Sequence, residues 1–445
     1  MRQMGAREYQ DEGGTRVPRI HGASRTGAAG GGIRLFAGLM VAPLIFIAGC
    51  SSDGGKSEPG GSGGTSGGTG GGTNKKVAAG PATIAITPAD GTKSVETDGV
   101  LKVDATGGKL TSVVVTDAKG KAVDGQLSPD GAGWKPTAPL ANGGAYTVAA
   151  KAANADGAEV TAQSKFNTKS ADNTFVADFN VAPDSTWGVG AIISLKFNAP
   201  IKDKAAIERN LKVVSEPAVQ GSWSWLKDLD GNDRIDYRPE KYWASGTKVN
   251  LKANLTGAKA APGVYGKQTK DIKFTIGRSL VATADLKSKH MSLKKDGVEV
   301  EDLPISAGGP SYPTWGGTMV VLDKEDGINM DSETVGLGDA YNMKNVRHAV
   351  HLTTSGTYAH GAPWNEGKFG RQNDSHGCIG LSATNAKTFY DMVIQGDPVE
   401  VVNSTDKIVK AGNGLGGWSV DWATWLKGSA LGDSGSTAAP AAPAA

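Results

Sequence analysis

The chain reads Ser375-His376-Gly377-Cys378 at the only cysteine outside its N-terminal region, and it has two cysteines among 445 residues. A thiol attacks an acyl carbon only as its thiolate, so at an unperturbed pKa of roughly 8.5 it needs a nearby base at neutral pH. His376 and, further upstream, His360 could supply that imidazole. Gly377 lets backbone N–H groups approach a substrate closely, as stabilisation of an oxyanion requires. The stretch therefore predicts a cysteine nucleophile, with a buried and inert cysteine as the alternative.

The residues around this cysteine extend the pattern on both sides. Upstream lies His360-Gly361-Ala362-Pro363-Trp364, and the cysteine is followed by Ile379-Gly380-Leu381-Ser382. Further upstream the chain has Asn329-Met330-Asp331-Ser332 and Tyr341, and a Trp-rich segment lies near its end. Together these runs resemble the active-site signature of the L,D-transpeptidases, in which a histidine is followed at a set interval by Ser/Thr-His-Gly-Cys. The likeness is greatest to actinobacterial members that carry Ig-like domains ahead of the catalytic domain.

The resemblance implies a role for the residues nearest the cysteine. Cys378 would be the nucleophile and His360 its base, with the main-chain carbonyl of Gly361 accepting the second ring N–H of the imidazole. Backbone N–H groups of Gly377 and Cys378 would form the oxyanion hole. His376 would support the cysteine loop, with a purely structural hydrogen bond as the alternative.

Five further residues are implied to shape the substrate site. Ser375 would also support the cysteine loop, and Tyr341 would place a hydroxyl beside the oxyanion hole. Met330 and Trp364 resemble pocket-wall and lid residues, with plain packing as the alternative. Gly380 stands where close relatives commonly have Asn, so a substrate-binding amide is missing and the preference for the acceptor stays open.

The resemblance also implies a reaction and its partners. The donor would be a peptidoglycan tetrapeptide stem, whose bond between the third residue and D-Ala is attacked by Cys378 to give a thioester. The diaminopimelate amine of a second stem would then attack the thioester, which gives a 3→3 cross-link. The alternatives are an L,D-carboxypeptidase with the same site, in which water is the acceptor, and a non-catalytic wall-binding lipoprotein. No cofactor is expected, and the protein is expected to act as a monomer.

Charge and spacing argue against other classes of function. The net charge of +2 does not suit a nucleic-acid binder, which would need a concentrated basic face. His348 and His351 are three residues apart on a predicted strand, so they would point to opposite faces and could not share a metal ion. Residues 228–236 superficially resemble a calcium loop, but Asp233 stands at the position of the turn glycine and Pro239 at that of the bidentate Glu. We therefore predict a hairpin turn there and no metal site.

The N-terminal region predicts export and lipidation. Arg34 precedes an apolar run, Leu35–Ala48, that suits the core of a signal peptide and is too short for a membrane span. The run ends in Ile47-Ala48-Gly49-Cys50, which resembles a lipobox, with an ordinary signal peptide as the alternative. We expect a signal peptide over residues 1–49 and a lipidated Cys50 with a flexible Gly/Ser linker over residues 50–78. The protein would then be extracytoplasmic, anchored by lipid to the outer face of the cytoplasmic membrane and lying within the cell wall.

Short alternating runs separated by glycine turns predict an all-β fold for the rest of the chain. We expect two Ig-like β-sandwich domains, then a β-rich catalytic domain with a short helix, then a Trp-rich extension and a disordered tail. The expected limits are 79–169 and 170–277 for the sandwiches, 278–403 for the catalytic domain, 404–430 for the extension and 431–445 for the tail.

Several local elements follow from spacing and capping. Tyr146 is predicted to form a tyrosine corner, and Asp203 to cap a helical turn. Lys295-Asp296-Gly297 predicts a hairpin turn, and Ser382 a helix that ends at Gly396. Trp418, Trp422 and Trp425 are expected on one stripe of a short helix that docks on a neighbouring domain, with sugar stacking as the alternative; these three tryptophans form the Trp cluster discussed below.

Overall fold

The computed structural model describes residues 80–432 and 436–437. The predicted signal peptide, Cys50, the Gly/Ser linker and most of the predicted tail lie outside the described residues. Within the described part, strands dominate and no helix has the length and apolar character needed to cross a membrane. The predicted all-β class is confirmed.

The first group of strands forms a sandwich of two antiparallel sheets, one ordered β1-β2-β5-β4 and the other β3-β6-β7. Buried Val103, Val148 and Phe166 lie in its core. The Tyr146 hydroxyl accepts a hydrogen bond from the Ala141 backbone N–H at 2.9 Å, so the predicted tyrosine corner is confirmed. The strands are β1 (Thr83–Thr87), β2 (Lys102–Thr106), β3 (Lys109–Asp117), β4 (Gly125–Leu127), β5 (Gly133–Pro136), β6 (Ala145–Ala153) and β7 (Glu159–Asn167).

The second group also forms packed sheets, ordered β10-β18-β15-β12 and β30-β13-β14-β11-β9, with a small third sheet β16-β17-β8. Asp203 caps α1 by accepting from the Ala206 N–H at 2.9 Å, and the turn at Asp228 joins two antiparallel strands, so both local predictions are confirmed. The elements are β8 (Asn173–Phe175), β9 (Ala177–Phe179), β10 (Thr186–Trp187), β11 (Ile193–Phe197), α1 (Lys204–Glu208), β12 (Leu211–Glu216), β13 (Gly221–Lys227), β14 (Asp233–Pro239), β15 (Lys248–Asn254), β16 (Lys259–Ala261), β17 (Val264–Gly266), β18 (Thr269–Ile276) and, near the C-terminus, β30 (Ser436–Thr437).

The third group builds a nine-stranded sheet ordered β22-β29-β19-β20-β21-β28-β27-β26-β23, beside a two-stranded ribbon β24-β25. The predicted hairpin at Asp296 and Gly297 joins β20 to β21, with both residues at positive φ. The elements are β19 (Leu280–Asp285), β20 (His290–Lys295), β21 (Val298–Ser306), β22 (Gly317–Val320), β23 (Asp323–Glu325), β24 (Ile328–Asp331), β25 (Asn342–Val346), β26 (Ala349–His351), β27 (Tyr358–Gly361), β28 (Ile379–Leu381), α2 (Ala383–Met392) and β29 (Pro398–Val402).

Helix α2 follows the cysteine segment and begins as predicted, because the Ser382 side chain accepts from the Asn385 N–H at 3.2 Å. The prediction that it ends at Gly396 is wrong, since the helix ends at Met392 and Val393 is already extended. Lys324 donates to the Tyr390 and Val393 carbonyls at 2.7 and 2.8 Å, which satisfies the end of the helix.

The C-terminal extension docks on the second sandwich through the Trp cluster. The predicted single helical stripe is wrong: Trp418 lies on a 3-10 helix, Gly416–Ser419, whereas Trp422 and Trp425 belong to α3 (Trp422–Leu426). All three rings nevertheless surround the buried guanidinium of Arg238, at 4.7, 5.2 and 4.7 Å from the ring centroids. The docking interpretation is therefore confirmed, and the Trp425 Nε1–H also donates to the Ser222 carbonyl at 3.0 Å.

Arg238→Ala should destabilise the protein by about 3 kcal/mol or more, since each cation–π contact contributes about 0.5–2 kcal/mol and each hydrogen bond about 1 kcal/mol. The variant loses the three ring contacts and the bond from the guanidinium to the Val420 carbonyl at 2.7 Å. Urea unfolding followed by tryptophan fluorescence measures the effect. Arg209→Ala, at an exposed arginine of the same sandwich, is the control, and an equal shift in both variants would contradict the docking role of Arg238.

Candidate active site

The site is built on two neighbouring strands of the nine-stranded sheet, β27 and β28, which run parallel with His360 opposite Gly380. Cys378 directly precedes β28 and is therefore level with Tyr358, two residues before His360. Because residues two apart on a strand share a face, this register brings the imidazole and the thiol to the same side of the sheet. Both side chains line one cavity of about 230 Å³.

The cavity collects most of the predicted site residues. Of those predicted, it is lined by Met330, Tyr341, His360, Trp364, Ser375, His376, Cys378 and Gly380. Gly361 and Gly377 contribute through their backbones, as described below. Three further lining residues, Met343, Ala362 and Asn365, are not among the predicted site residues. Ala362 and Asn365 flank motif positions, whereas Met343 is brought in by its pairing with Met330 across β24 and β25, which sequence spacing alone does not reveal.

His360 is held in one tautomer by its neighbour. Its Nδ1 lies 3.0 Å from the Gly361 carbonyl oxygen, which can only accept, so Nδ1 carries the proton. Burial lowers the pKa of His360, so the ring is neutral at pH 7 and its Nε2 has a free lone pair. The ring stacks on half-exposed Trp364 with centroids 5.8 Å apart. The imidazole is thus prepared to accept a proton at Nε2.

The Cys378 thiol is protonated in the resting structure. Desolvation raises its pKa to about 11, partly offset by a hydrogen bond from the Tyr358 backbone N–H to Sγ at 3.4 Å. The thiol donates to the Gly356 carbonyl at 3.7 Å, so its proton points at the main chain rather than at the His360 ring. The residue is nevertheless partly exposed and faces the cavity. Thiol and imidazole are therefore both neutral, and proton transfer must accompany attack on a substrate.

The loop before Cys378 is closed by Ser375. Its Oγ donates to the Cys378 carbonyl at 2.5 Å and accepts from the Gly377 N–H at 3.2 Å. Gly377 has φ of 114°, which L-residues rarely adopt, so glycine is required here by conformation. In this state the Gly377 N–H is satisfied inside the loop, and its role in an oxyanion hole stays a prediction.

His376 packs between two tyrosines. Its ring centroid lies 4.9 Å from that of Tyr312 and 5.2 Å from that of Tyr341. Tyr341 lies in the cavity wall, and burial raises the pKa of its hydroxyl. Tyr312 was not predicted, because it comes from the loop after β21 and reaches His376 only through the tertiary fold. This arrangement is consistent with His376 supporting the loop by packing.

Gly380 occupies a tight position in the centre of the sheet. A Cβ there would lie 3.1 Å from the Ser306 carbonyl oxygen and 3.3 Å from the Ala362 Cβ, both closer than ordinary contacts. An asparagine could be accommodated only if these neighbours moved by a few tenths of an ångström. The glycine thus fits the close packing of β21, β28 and the segment after β27 in this chain.

The other histidines near the site have separate surroundings. The strand holds His351 but not His348, which precedes it at φ 53° with its ring 5.6 Å from that of Tyr390. The expectation that both lie on one strand is therefore wrong. His351 contacts the Thr353 carbonyl at 2.7 Å and stacks on Tyr358 at 4.4 Å. Across the described residues, no group of three or more His, Cys, Asp and Glu side chains is arranged to hold a metal ion.

Comparison with known proteins gives two domain matches and close relatives. The bacterial Ig domain matches residues 92–259, and the L,D-transpeptidase catalytic domain matches residues 279–401. The chain is 35% identical over 346 residues to L,D-transpeptidase 2 of Mycobacterium tuberculosis strain CDC 1551 / Oshkosh, covering 77% of this chain and 83% of that protein. It is 34% identical over 351 residues to L,D-transpeptidase 5 of Mycobacterium tuberculosis strain H37Rv, covering 78% and 77% respectively. A solved structure of an L,D-transpeptidase in complex with imipenem is 31% identical, covers 51% of this chain and 98% of that chain, and has a TM-score of 0.45.

Alkylation of Cys378 by iodoacetamide should become about tenfold faster per pH unit between pH 7 and 10, without a plateau, because the raised pKa keeps the thiolate fraction small and growing over this range. The rate is measured by mass spectrometry of samples quenched at successive times, in a Cys50→Ala background where Cys378 is the only thiol. His360→Asn should leave this profile unchanged, since the resting imidazole is neutral. A plateau at or below pH 7 that His360→Asn removes would instead indicate a thiolate–imidazolium pair.

Proposed function

This chain belongs to the L,D-transpeptidase family, and on that premise we propose that it forms 3→3 cross-links between peptidoglycan stems through a thioester on Cys378. The observation that carries the proposal is that His360 and Cys378 line one cavity, with Nε2 of the ring free to accept a proton. Members of this family are transferases. We propose in addition that the transfer reaction of this chain depends on Cys378.

The acylation step follows from the neutral pair. A tetrapeptide stem would enter the cavity with the carbonyl of its third residue near Sγ, displacing the resting bond from the thiol to the Gly356 carbonyl. His360 Nε2 accepts the thiol proton as sulfur attacks, and the imidazolium that forms is stabilised by its Nδ1–H bond to the Gly361 carbonyl. The same proton then passes to the departing D-Ala amine. The C–N bond is exchanged for a thioester, and the ring returns to its neutral form.

Transfer to the acceptor reverses the roles. The diaminopimelate side-chain amine of a second stem attacks the thioester carbonyl, His360 takes a proton from the amine, and the sulfur leaves and regains a proton. The apolar walls given by Met330, Met343, Tyr341 and Trp364 limit the water near the thioester. This lining supports an amine acceptor over water, and hence transfer over the carboxypeptidase alternative.

We further propose that the protein is a lipoprotein on the outer face of the cytoplasmic membrane. The support is the apolar run Leu35–Ala48, the lipobox-like segment that ends at Cys50 and the Gly/Ser linker that follows. Two acyl chains on a lipidated cysteine are enough for stable anchoring. The linker would let the catalytic domain reach stems in the wall.

Incubation of the purified protein with tetrapeptide stems should yield cross-linked dimers, and a carbapenem should add its own mass to the protein. Mass spectrometry of products and of intact protein measures both, since a nucleophilic thiol opens the β-lactam ring as it opens an amide. Cys378→Ala should abolish dimers and adduct while keeping the melting temperature within a few degrees. Tripeptides without dimers would identify a carboxypeptidase, and correctly folded wild-type protein that gives neither product nor adduct would favour the non-catalytic wall-binding role.

Cys50→Ala should move the protein from the membrane fraction to the soluble fraction, because the acylated sulfur is lost. Fractionation of cells and immunoblotting measure the distribution, and carbapenem acylation of the released variant should match that of the wild type. Ser51→Ala, which changes the neighbouring residue only, should stay with the membranes. Retention of Cys50→Ala by the membranes would rule out the lipid anchor.

A further inference from the structure

The orientation of the Cys378 thiol depends on a turn that lies outside the signature motif. One main-chain partner of Sγ, the Gly356 carbonyl, lies in the connection between β26 and β27, and the other, the Tyr358 N–H, belongs to the first residue of β27. Within that connection, the turn formed by residues 352–357 is closed by a bond from the Leu352 N–H to the Thr357 carbonyl at 2.9 Å. A shift of this 352–357 turn therefore moves the Gly356 carbonyl directly and changes how the chain enters β27 at Tyr358.

The 352–357 turn is clamped from the C-terminal extension by a single buried side chain, Asn413, which is 4% exposed. Its Oδ1 accepts from the Ser355 N–H at 2.9 Å and from the Thr354 hydroxyl at 3.2 Å, and its Nδ2 donates to the Ser355 hydroxyl at 2.8 Å. The next residue adds a fourth bond, from the Gly414 N–H to the Thr354 hydroxyl at 3.1 Å. Four hydrogen bonds therefore join two consecutive residues of the extension to two consecutive residues of the turn.

Asn413 is itself held between two domains by close backbone packing. A Cβ on Gly412 would lie 2.1 Å from the Lys227 carbonyl oxygen, at the end of β13 in the second sandwich. A Cβ on Gly414, which has φ of 72°, would lie 3.0 Å from the Leu352 carbonyl oxygen at the start of the turn. The segment is thus in direct contact with the second sandwich on one side and with the 352–357 turn on the other.

We propose that Asn413 is a positioning residue for Cys378: it fixes the 352–357 turn so that the Gly356 carbonyl holds the thiol in a defined place at the cavity wall. The C-terminal extension then serves the reaction as well as the docking of domains. The inference rests on the proposed role of Cys378 as nucleophile. When the clamp is removed, the turn should move away from the sulfur, water should reach the sulfur more easily, the thiolate should form more readily, and the sulfur should lose its defined position relative to the substrate carbonyl.

Asn413→Ala should therefore change two rates in opposite directions. Alkylation by iodoacetamide at pH 8 should rise about tenfold because the thiol is less desolvated. Acylation by a carbapenem should fall about tenfold or more, since a displacement of about 1 Å from the productive geometry costs up to about a hundredfold. Thr354→Val removes the two of the four bonds that the Thr354 hydroxyl makes, and it should shift both rates in the same directions by a smaller factor.

Both variants leave unchanged the titratable groups that share the cavity or the turn with the thiol, which are His360, His376, Tyr341 and Tyr358.

Asn180→Ala is the matched control, because this asparagine also makes two side-chain bonds to main chain, to Ser194 and Ile192 at 2.7 and 2.8 Å, but within the second sandwich. It should lower the melting temperature and leave both rates unchanged. Rates for folded Asn413→Ala and Thr354→Val that stay within twofold of Asn180→Ala would overturn the inference, and Thr354→Val decides alone where Asn413→Ala does not fold. Alkylation reports on the thiol even if no cross-link is ever formed, so failure of the proposed function and failure of this inference give different results.

Discussion

The hydrogen bond from His360 Nδ1–H to the Gly361 carbonyl is the interaction on which the chemistry of the site depends. It leaves Nε2 as the only ring nitrogen able to accept a proton, and burial keeps the ring neutral so that this nitrogen is available. The parallel register of β27 and β28 then brings the ring and Cys378 to one cavity. A carboxylate in place of the Gly361 carbonyl would favour a His360 ring that is protonated at rest. The neutral carbonyl instead stabilises the imidazolium when proton transfer produces it.

Like the neutral imidazole, the Cys378 thiol is neutral in the resting enzyme and becomes a nucleophile only when its proton is removed. Desolvation raises the pKa of the thiol to about 11, so the thiol is largely protonated at pH 7 and reacts slowly with oxidants and stray electrophiles. The Gly356 carbonyl in the 352–357 turn and the Tyr358 N–H at the start of β27 hold the sulfur until a substrate enters. The clamp at Asn413 joins that turn to the C-terminal extension, and the extension in turn packs on the second sandwich at Lys227 and through the Trp cluster around Arg238.

The sequence allowed those features to be predicted whose causes are local. Capping by Asp203 and Ser382, the Tyr146 corner and the hairpin at Gly297 each depend on residues within a few positions. The spacing of the Trp cluster predicts a single helix, but the chain is extended at Val420. The three rings instead contact the buried Arg238 of the second sandwich. A motif predicts which residues form the site. Their relative positions depend on the pairing of β27 with β28, which the spacing of the motif does not reveal. Met343 enters the cavity through its pairing with Met330, while Tyr312 contacts His376 and Asn413 contacts the 352–357 turn across long separations in sequence, which no local pattern indicates.

Nitrogen NMR of the His360 ring reports which ring nitrogen carries the proton. At pH 7 we predict for the resting enzyme a neutral ring, protonated at Nδ1 and unprotonated at Nε2. Two protonated ring nitrogens at that pH, with a Cys378 thiolate beside them, would contradict it.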